Sequence, residues 1–198
     1  MTNISKDVMK HANKPRDDTR KKEYAVVDEA WIKVLLTRGA FGTLATVHKQ
    51  QPFLTPILFL YIEADHAIYF HGAHVGRMRA NIAINPNVCF NVTEIGRILP
   101  YKEAAEFGLE YNSVTVFGRA EMIRDEKETE RLLQGLMDKY APHLKPNQDY
   151  IPAQPEDIKR TLVCKINIED WTGKQLTDDE ESTDPYYYPH LPVIRHPG

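Results

Sequence analysis

Alternation of apolar and polar residues, rather than helical period, dominates the middle of this chain. It predicts strands over 41–48, 53–61, 67–71, 88–92, 112–123 and 161–168, joined by short links rich in Gly, Pro, Asn and Asp. Three stretches carry the helical period instead. Trp31, Val34, Leu35 and Arg38 recur at helical spacing behind Asp28, a good N-cap, and ahead of Gly39, suited to the position past a helix end. Val75, Met78 and Ile82 share one face of a helix over 75–84 that stops where Pro86 disfavours helical geometry at Asn85. Asp125 caps a third helix, with Thr129, Leu132, Leu133, Leu136, Met137 and Tyr140 along one side. Six strands with hairpin-like links and so few helices predict an α+β, mainly β, protein: a six-stranded antiparallel split β-barrel with flanking helices, not a doubly wound sheet.

Local irregularities refine that picture. Pro56 has no N–H to give to a ladder, so the second strand is expected to be bulged or unpaired on that side. Phe117-Gly118 suggests a bulge in the long strand, and 93–111, without clear period, reads as a functional loop or interface segment. Residues 1–26 are charged and aperiodic and read as a loosely ordered arm; 27–174 form the barrel domain, and 175–198, acidic then aromatic and proline-rich, a tail.

Composition narrows the function. The chain has 198 residues, a formal net charge of -3 and a pI near 6.2, so no global basic field argues for nucleic acid. No apolar run reaches the roughly 18 residues needed to span a bilayer, and the polar start has no apolar leader; a cytoplasmic protein is expected. Cys89 and Cys164 sit in separate apolar runs and read as free thiols. No Gly-rich dinucleotide fingerprint, phosphate-loop lysine, Gly-x-Ser-x-Gly elbow or Cys-x-x-Cys pair occurs. The chemistry concentrates instead in 68–90, read as strand, glycine turn, helix and strand. Gly76-Arg77 opens the helix, where free backbone N–H groups, the dipole and a guanidinium together favour phosphate. Arg79 reads as a surface residue. His71-x-x-His74 has no further ligands at defined spacing, so no metal is expected.

Several pieces occur in a recognisable order: Gly42-Thr43-Leu44-Ala45-Thr46, Pro52 with Thr55-Pro56, Tyr69-Phe70-His71 with Gly76-Arg77, Asn85-Pro86-Asn87-Val88-Cys89-Phe90, Asn112-Ser113-Val114 with Phe117-Gly118, and Trp171-Thr172-Gly173-Lys174. Over about 28–174 the chain resembles the pyridoxamine 5'-phosphate oxidase-like, FMN-binding split-barrel superfamily, and within it the nitroimidazole-resistance branch. The resemblance implies a homodimer with FMN at the subunit interface. It implies that Thr55, Pro56, Ile57 and Leu58 line the flavin ring, that Phe70 and His71 approach the flavin, and that Gly76 and Arg77 hold its phosphate. Ser113 and Trp171 match further flavin contacts. His71 matches an active-site histidine of the branch and is the expected proton donor, since imidazole titrates near neutrality.

Departures matter as well. Leu54-Thr55 stands where the vitamin B6 oxidases carry an arginine, and the tail lacks their arginine motif, so that reaction is not expected. The implied function is an FMN-dependent oxidoreductase that moves electrons from a reduced donor to a small organic acceptor, nitro compounds among them. The alternatives are a flavin- or haem-binding protein without turnover, and a deazaflavin-dependent reductase.

Overall fold

Alternating segments make an eight-stranded, wholly antiparallel sheet in the computed structural model, which describes residues 6–178 and 182–189. The strands are β1 (Ala25–Val26), β2 (Gly42–His48), β3 (Gln51–Ile57), β4 (Leu60–Ile62), β5 (Ala67–Ala73), β6 (Asn87–Leu99), β7 (Gly108–Ile123) and β8 (Thr161–Leu176). The helices are α1 (Lys6–Ala12), α2 (Glu29–Arg38), α3 (Arg77–Ile84), α4 (Glu126–Tyr140) and α5 (Pro155–Arg160). None of the described helices is long and apolar enough to cross a membrane.

Strand order is β3-β2-β6-β7-β8-β5-β4, with β1 pairing the far half of β8. The two ends of that path, β3 and β4, are consecutive in the chain and separated by Leu58 and Phe59 alone. The three backbone steps from Ile57 to Leu60 span about 11 Å at most, so the sheet has to curl until its edges nearly meet. The inward residues of every strand from β2 to β8 then fill one core, with Leu44, Phe59, Ile68, Phe70, Phe90, Val114, Val116 and Ile166 fully buried. The rings of Phe59 and Phe90 pack edge to face, their centroids 4.8 Å apart. Outside the barrel, Ala67, Tyr69 and Val163 meet Leu132 of α4 in a second apolar layer.

The last turn of α4 holds the closure. Tyr140 Oη accepts from the Phe59 N–H at 2.9 Å and donates to its carbonyl at 3.0 Å, while Lys139 Nζ donates to the same carbonyl at 3.0 Å and lies 3.8 Å from the Phe59 ring centroid. Burial pushes the Lys139 ammonium down to about 8.

The sequence reading requires several corrections. Eight strands are present rather than six, because 53–61 breaks at Leu58–Phe59 into β3 and β4 and because the arm contributes β1. β3 is not bulged at Pro56, since its register with β2 is continuous from Gln51 to Ile57, and of the two expected alternatives it is the unpaired side that occurs: β3 is an edge strand. Pro52 and Pro56 are four apart on an edge strand, so both missing donors can fall on the open side. The expected loop 93–111 is mostly ladder, with β6 and β7 pairing to Leu99 and Gly108 across an irregularity between Ile95 and Ile98. Charged residues had hidden its alternation; they are satisfied in pairs, Glu94 by Arg38 and Glu110 by Arg97. In α2 the buried face is Ile32, Leu35 and Leu36, leaving Val34 exposed, although the Asp28 cap forms as expected, accepting from Ala30 N–H at 2.9 Å. A register shift does occur at Phe117-Gly118, but the extra residue is Glu169 of the facing strand β8 rather than one of β7; a Cβ at Gly118 would lie 2.2 Å from the Asn167 carbonyl oxygen. Both cysteines are free. Part of the tail, 179–181 and 190–198, and residues 1–5 of the arm lie outside the described residues.

Tyr140→Phe removes both hydrogen bonds at the closure and is expected to lower stability by about 1–2 kcal/mol in urea denaturation followed by circular dichroism. An acid limb is expected as well. Hydrogen bonds from Arg97 hold the Glu110 carboxyl down from 4.5 to about 2. A depressed carboxylate contributes stability that is complete above its unfolded value and is lost as pH falls through the folded one. Wild type is therefore expected to lose stability between pH 4.5 and about 2 more steeply than Glu110→Gln.

Candidate functional site

The free edge of β3 and the start of α3 face one another. α3 begins where Gly76 adopts φ 151°, a conformation that L side chains avoid, and no side chain caps its first turn. Its orphan N–H groups are therefore open to an anion. The helix is fixed to the barrel from beneath: Ile82 packs into the core, and the buried Asn81 amide donates to Thr46 Oγ1 of β2 at 3.0 Å.

Phe53, Leu54, Thr55 and Pro56 of β3 and Ala73, Val75, Gly76, Arg77, Met78 and Arg79 line a cavity of about 260 Å³ between the two elements. Arg77 is exposed and makes no ion pair among the described residues. Thr55 Oγ1 is buried with no hydrogen-bond partner. Leu54 lies midway between Pro52 and Pro56 and shares their phase in the ladder, so its N–H faces the open edge of the strand. A guanidinium, a helix start and an unused backbone donor thus converge on one groove, with Thr55 and its buried, unpartnered hydroxyl in the wall.

The predicted site residues divide into groups. Thr55, Pro56, Gly76 and Arg77 share the groove. Ile57 turns into the core, and Leu58 is exposed beside Phe59. Phe70 is fully buried in the barrel, so its side chain faces no cavity. His71 is on the opposite face of β5 from Phe70, toward α4, in the wall of a separate cavity of about 740 Å³. Leu133, Leu136, Met137, Ile151 and Pro152 give that cavity an apolar lining. Ser113 is across the sheet, where its Oγ accepts from the Asn91 amide at 3.0 Å and lies 3.0 Å from Thr93 Oγ1. Trp171 packs against the barrel core, its ring 4.8 Å from that of His66. In one chain neither Ser113 nor Trp171 lines the groove that holds Arg77.

Arg79, read as a surface residue, is half-buried and lines the groove beside Arg77. Its position two residues along the same first turn was visible in the sequence; its burial was not. Val75, expected on the packed face of the helix, is exposed ahead of it.

The family model described as pyridoxamine 5'-phosphate oxidase matches residues 28–175. No curated protein sequence matches the chain. Among solved structures, the flavocytochrome Anf3 from Azotobacter vinelandii is similar with a TM-score of 0.73 at 24% identity, over 93% of this chain and 90% of that one. The FAD and heme binding protein from Mycobacterium smegmatis gives 0.70 at 19% identity, over 87% and 89% of the two chains. A proposed 5-nitroimidazole antibiotic resistance protein from Bacteroides thetaiotaomicron gives 0.63 at 20% identity, over 76% and 85%. These likenesses establish a common fold.

The orphan hydroxyl gives a direct test of the groove. A buried hydroxyl without a partner costs free energy, so Thr55→Val is expected to leave the chain equally stable or stabilise it by about 1–2 kcal/mol in thermal denaturation. A loss of stability would mean that Oγ1 already has a partner.

Proposed function

The chain belongs to the pyridoxamine 5'-phosphate oxidase family, and from that premise we propose that the groove between β3 and α3 holds FMN. In this reading the protein is an oxidoreductase that passes electrons from a reduced donor to a small organic acceptor, nitro compounds among them. One observation carries it: Arg77, without an ion pair among the described residues, stands at an uncapped helix start in a cavity walled by the free edge of β3.

These residues fit the group. Arg77 and the first N–H groups of α3 bind and neutralise the phosphate, while the Leu54 N–H and Thr55 Oγ1 orient the ring along the edge of β3. Bound flavin supplies two-electron chemistry at the ring. The apolar side chains of Phe53, Leu54 and Val75 exclude water from it.

A second copy of the chain completes the site. Phe41, Phe53, Leu54 and Leu58 leave exposed apolar surface around the β2–β3 edge, which supports a two-fold partner covering it. That partner would bring the polar face around Ser113 over the flavin, the role implied by the resemblance. His71 then serves an acceptor bound in its own cavity, as proton donor.

A second reading rests on that same cavity. Its volume of about 740 Å³, its largely apolar walls and a histidine with no hydrogen bond among the described residues would also suit a haem, whose iron His71 would hold. Flavocytochrome Anf3 and the Mycobacterium smegmatis protein, whose descriptions name cytochrome or heme beside flavin, support it.

Purified protein is expected to carry the absorbance of oxidised flavin, and Arg77→Ala to retain FMN at least tenfold less well with unchanged circular dichroism. Colourless protein that takes up no FMN on titration would overturn the flavin reading. A Soret band present in wild type and lost in His71→Ala, with flavin retained, decides for haem. Its absence after haem titration decides against haem.

A further inference from the structure

We propose that the cavity next to the flavin groove is a second phosphate site, built to take a nucleotide beyond the phosphate held by Arg77. The inference rests on the flavin reading for the identity of its neighbour, not for its own chemistry.

Arg79 joins the two cavities. It lines the groove of Thr55 and Arg77 and also a separate cavity of about 350 Å³, so the two share a wall. Around the second cavity stand Arg124 from the end of β7, Lys159 of α5 and His74 from the turn after β5. Glu126 is the single acid among the lining residues. Three fixed cations against one carboxylate give this cavity a positive sign in a chain whose formal net charge is -3.

The cations are also free. Arg79, Arg124 and Lys159 make no ion pair and no side-chain hydrogen bond among the described residues. Apart from Arg77, the arginines elsewhere on the barrel and its helices are engaged: Arg38 with Glu94, Arg97 with Glu110, Arg119 with Asn87, Arg131 with Glu128 and Arg160 with Asp157. A half-buried guanidinium without a partner is unfavourable unless an anion answers it. Arg79 is such a group, and the exposed Arg124 and Lys159 border the same space.

The remaining walls say what the anion carries. Met122, Ile123, Ile158 and Leu162 line the cavity beside the cations, an apolar surface for a flat ring. Phosphate next to an apolar ring is the chemistry of a nucleotide. Two ligands share it: a flavin dinucleotide, whose second phosphate and adenosine reach past Arg79, and a reduced nicotinamide dinucleotide serving as electron donor.

The double variant Arg124→Ala/Lys159→Ala alters two exposed side chains and tests the site. Pyrophosphate alone, titrated by calorimetry, is expected to bind wild type and to lose at least tenfold in affinity in the variant. If the source is a flavin, wild type binds FAD at least tenfold more tightly than FMN, and the variant erases that difference while FMN affinity stays unchanged. If it is the donor, FMN-loaded variant shows at least a tenfold higher Kd for NADPH or NADH, with no preference for FAD over FMN in wild type. Equal affinities of wild type and variant for pyrophosphate, FAD and the nicotinamides would overturn the proposal. Failure of FMN to bind while pyrophosphate still depends on Arg124 and Lys159 counts against the flavin reading and leaves the phosphate site standing.

Discussion

Closure of the sheet on itself across Leu58 and Phe59 is the constraint on which the rest of the molecule depends. β3 and β4 end the strand order yet follow one another in the chain, and they do not pair. A curled sheet with an unpaired seam would be open to water, and the seam is instead sealed by side chains. Phe59 fills the core at that point, and Tyr140 with Lys139 satisfies both its backbone groups from outside. A buried peptide unit at the seam would otherwise have neither donor nor acceptor answered.

The same seam places the site. Because β3 pairs only with β2, its other edge is free for a ligand, and because β5 ends beside it, the chain emerging from β5 turns into α3 directly opposite that edge. The Asn81–Thr46 hydrogen bond then fixes the helix start against β2 rather than against the solvent. Arg77 and the buried Thr55 hydroxyl are without a partner at this end among the described residues, whereas the charges of the β6–β7 ladder are paired. The contrast between satisfied flanks and an unsatisfied end marks the functional surface as clearly as the cavities do.

Much of this was legible in the sequence, because the governing signals are local. Alternation located β2, β5 and β7, Asp28 and Asp125 marked the starts of α2 and α4, and Phe117-Gly118 marked the level of the bulge, though not the strand that carries it. The Gly76-Arg77 reading came from the chemistry of a helix start, and the structure does gather Thr55, Pro56, Gly76 and Arg77 around one groove. What the sequence concealed depends on partners distant along the chain. The ladder of 93–111 is interrupted in its apolar period by Glu94, Arg97 and Glu110, and only the pairing with Arg38 and across β6–β7 shows how those charges are accommodated. Pro56 left a bulge and an open side as alternatives because an edge strand cannot be recognised before strand order is known. Arg79 looked exposed because its burial is set by β7 and α5, more than forty residues away.

The place of β8 in the sheet bears on how the protein is made. β8 lies between β7 and β5, and residues 67–73, paired on one side with β4, find their partners on the other side at 161–167. Until that last strand is available, β3-β2-β6-β7 and β5-β4 are two separate sheets, each with an apolar face and a bare edge. Pairings of such long sequence separation form slowly and leave those edges exposed meanwhile. During synthesis the barrel therefore has no closed intermediate: residues 161–176 must leave the ribosome before the core is sealed, and until then both partial sheets keep their apolar faces and bare edges exposed.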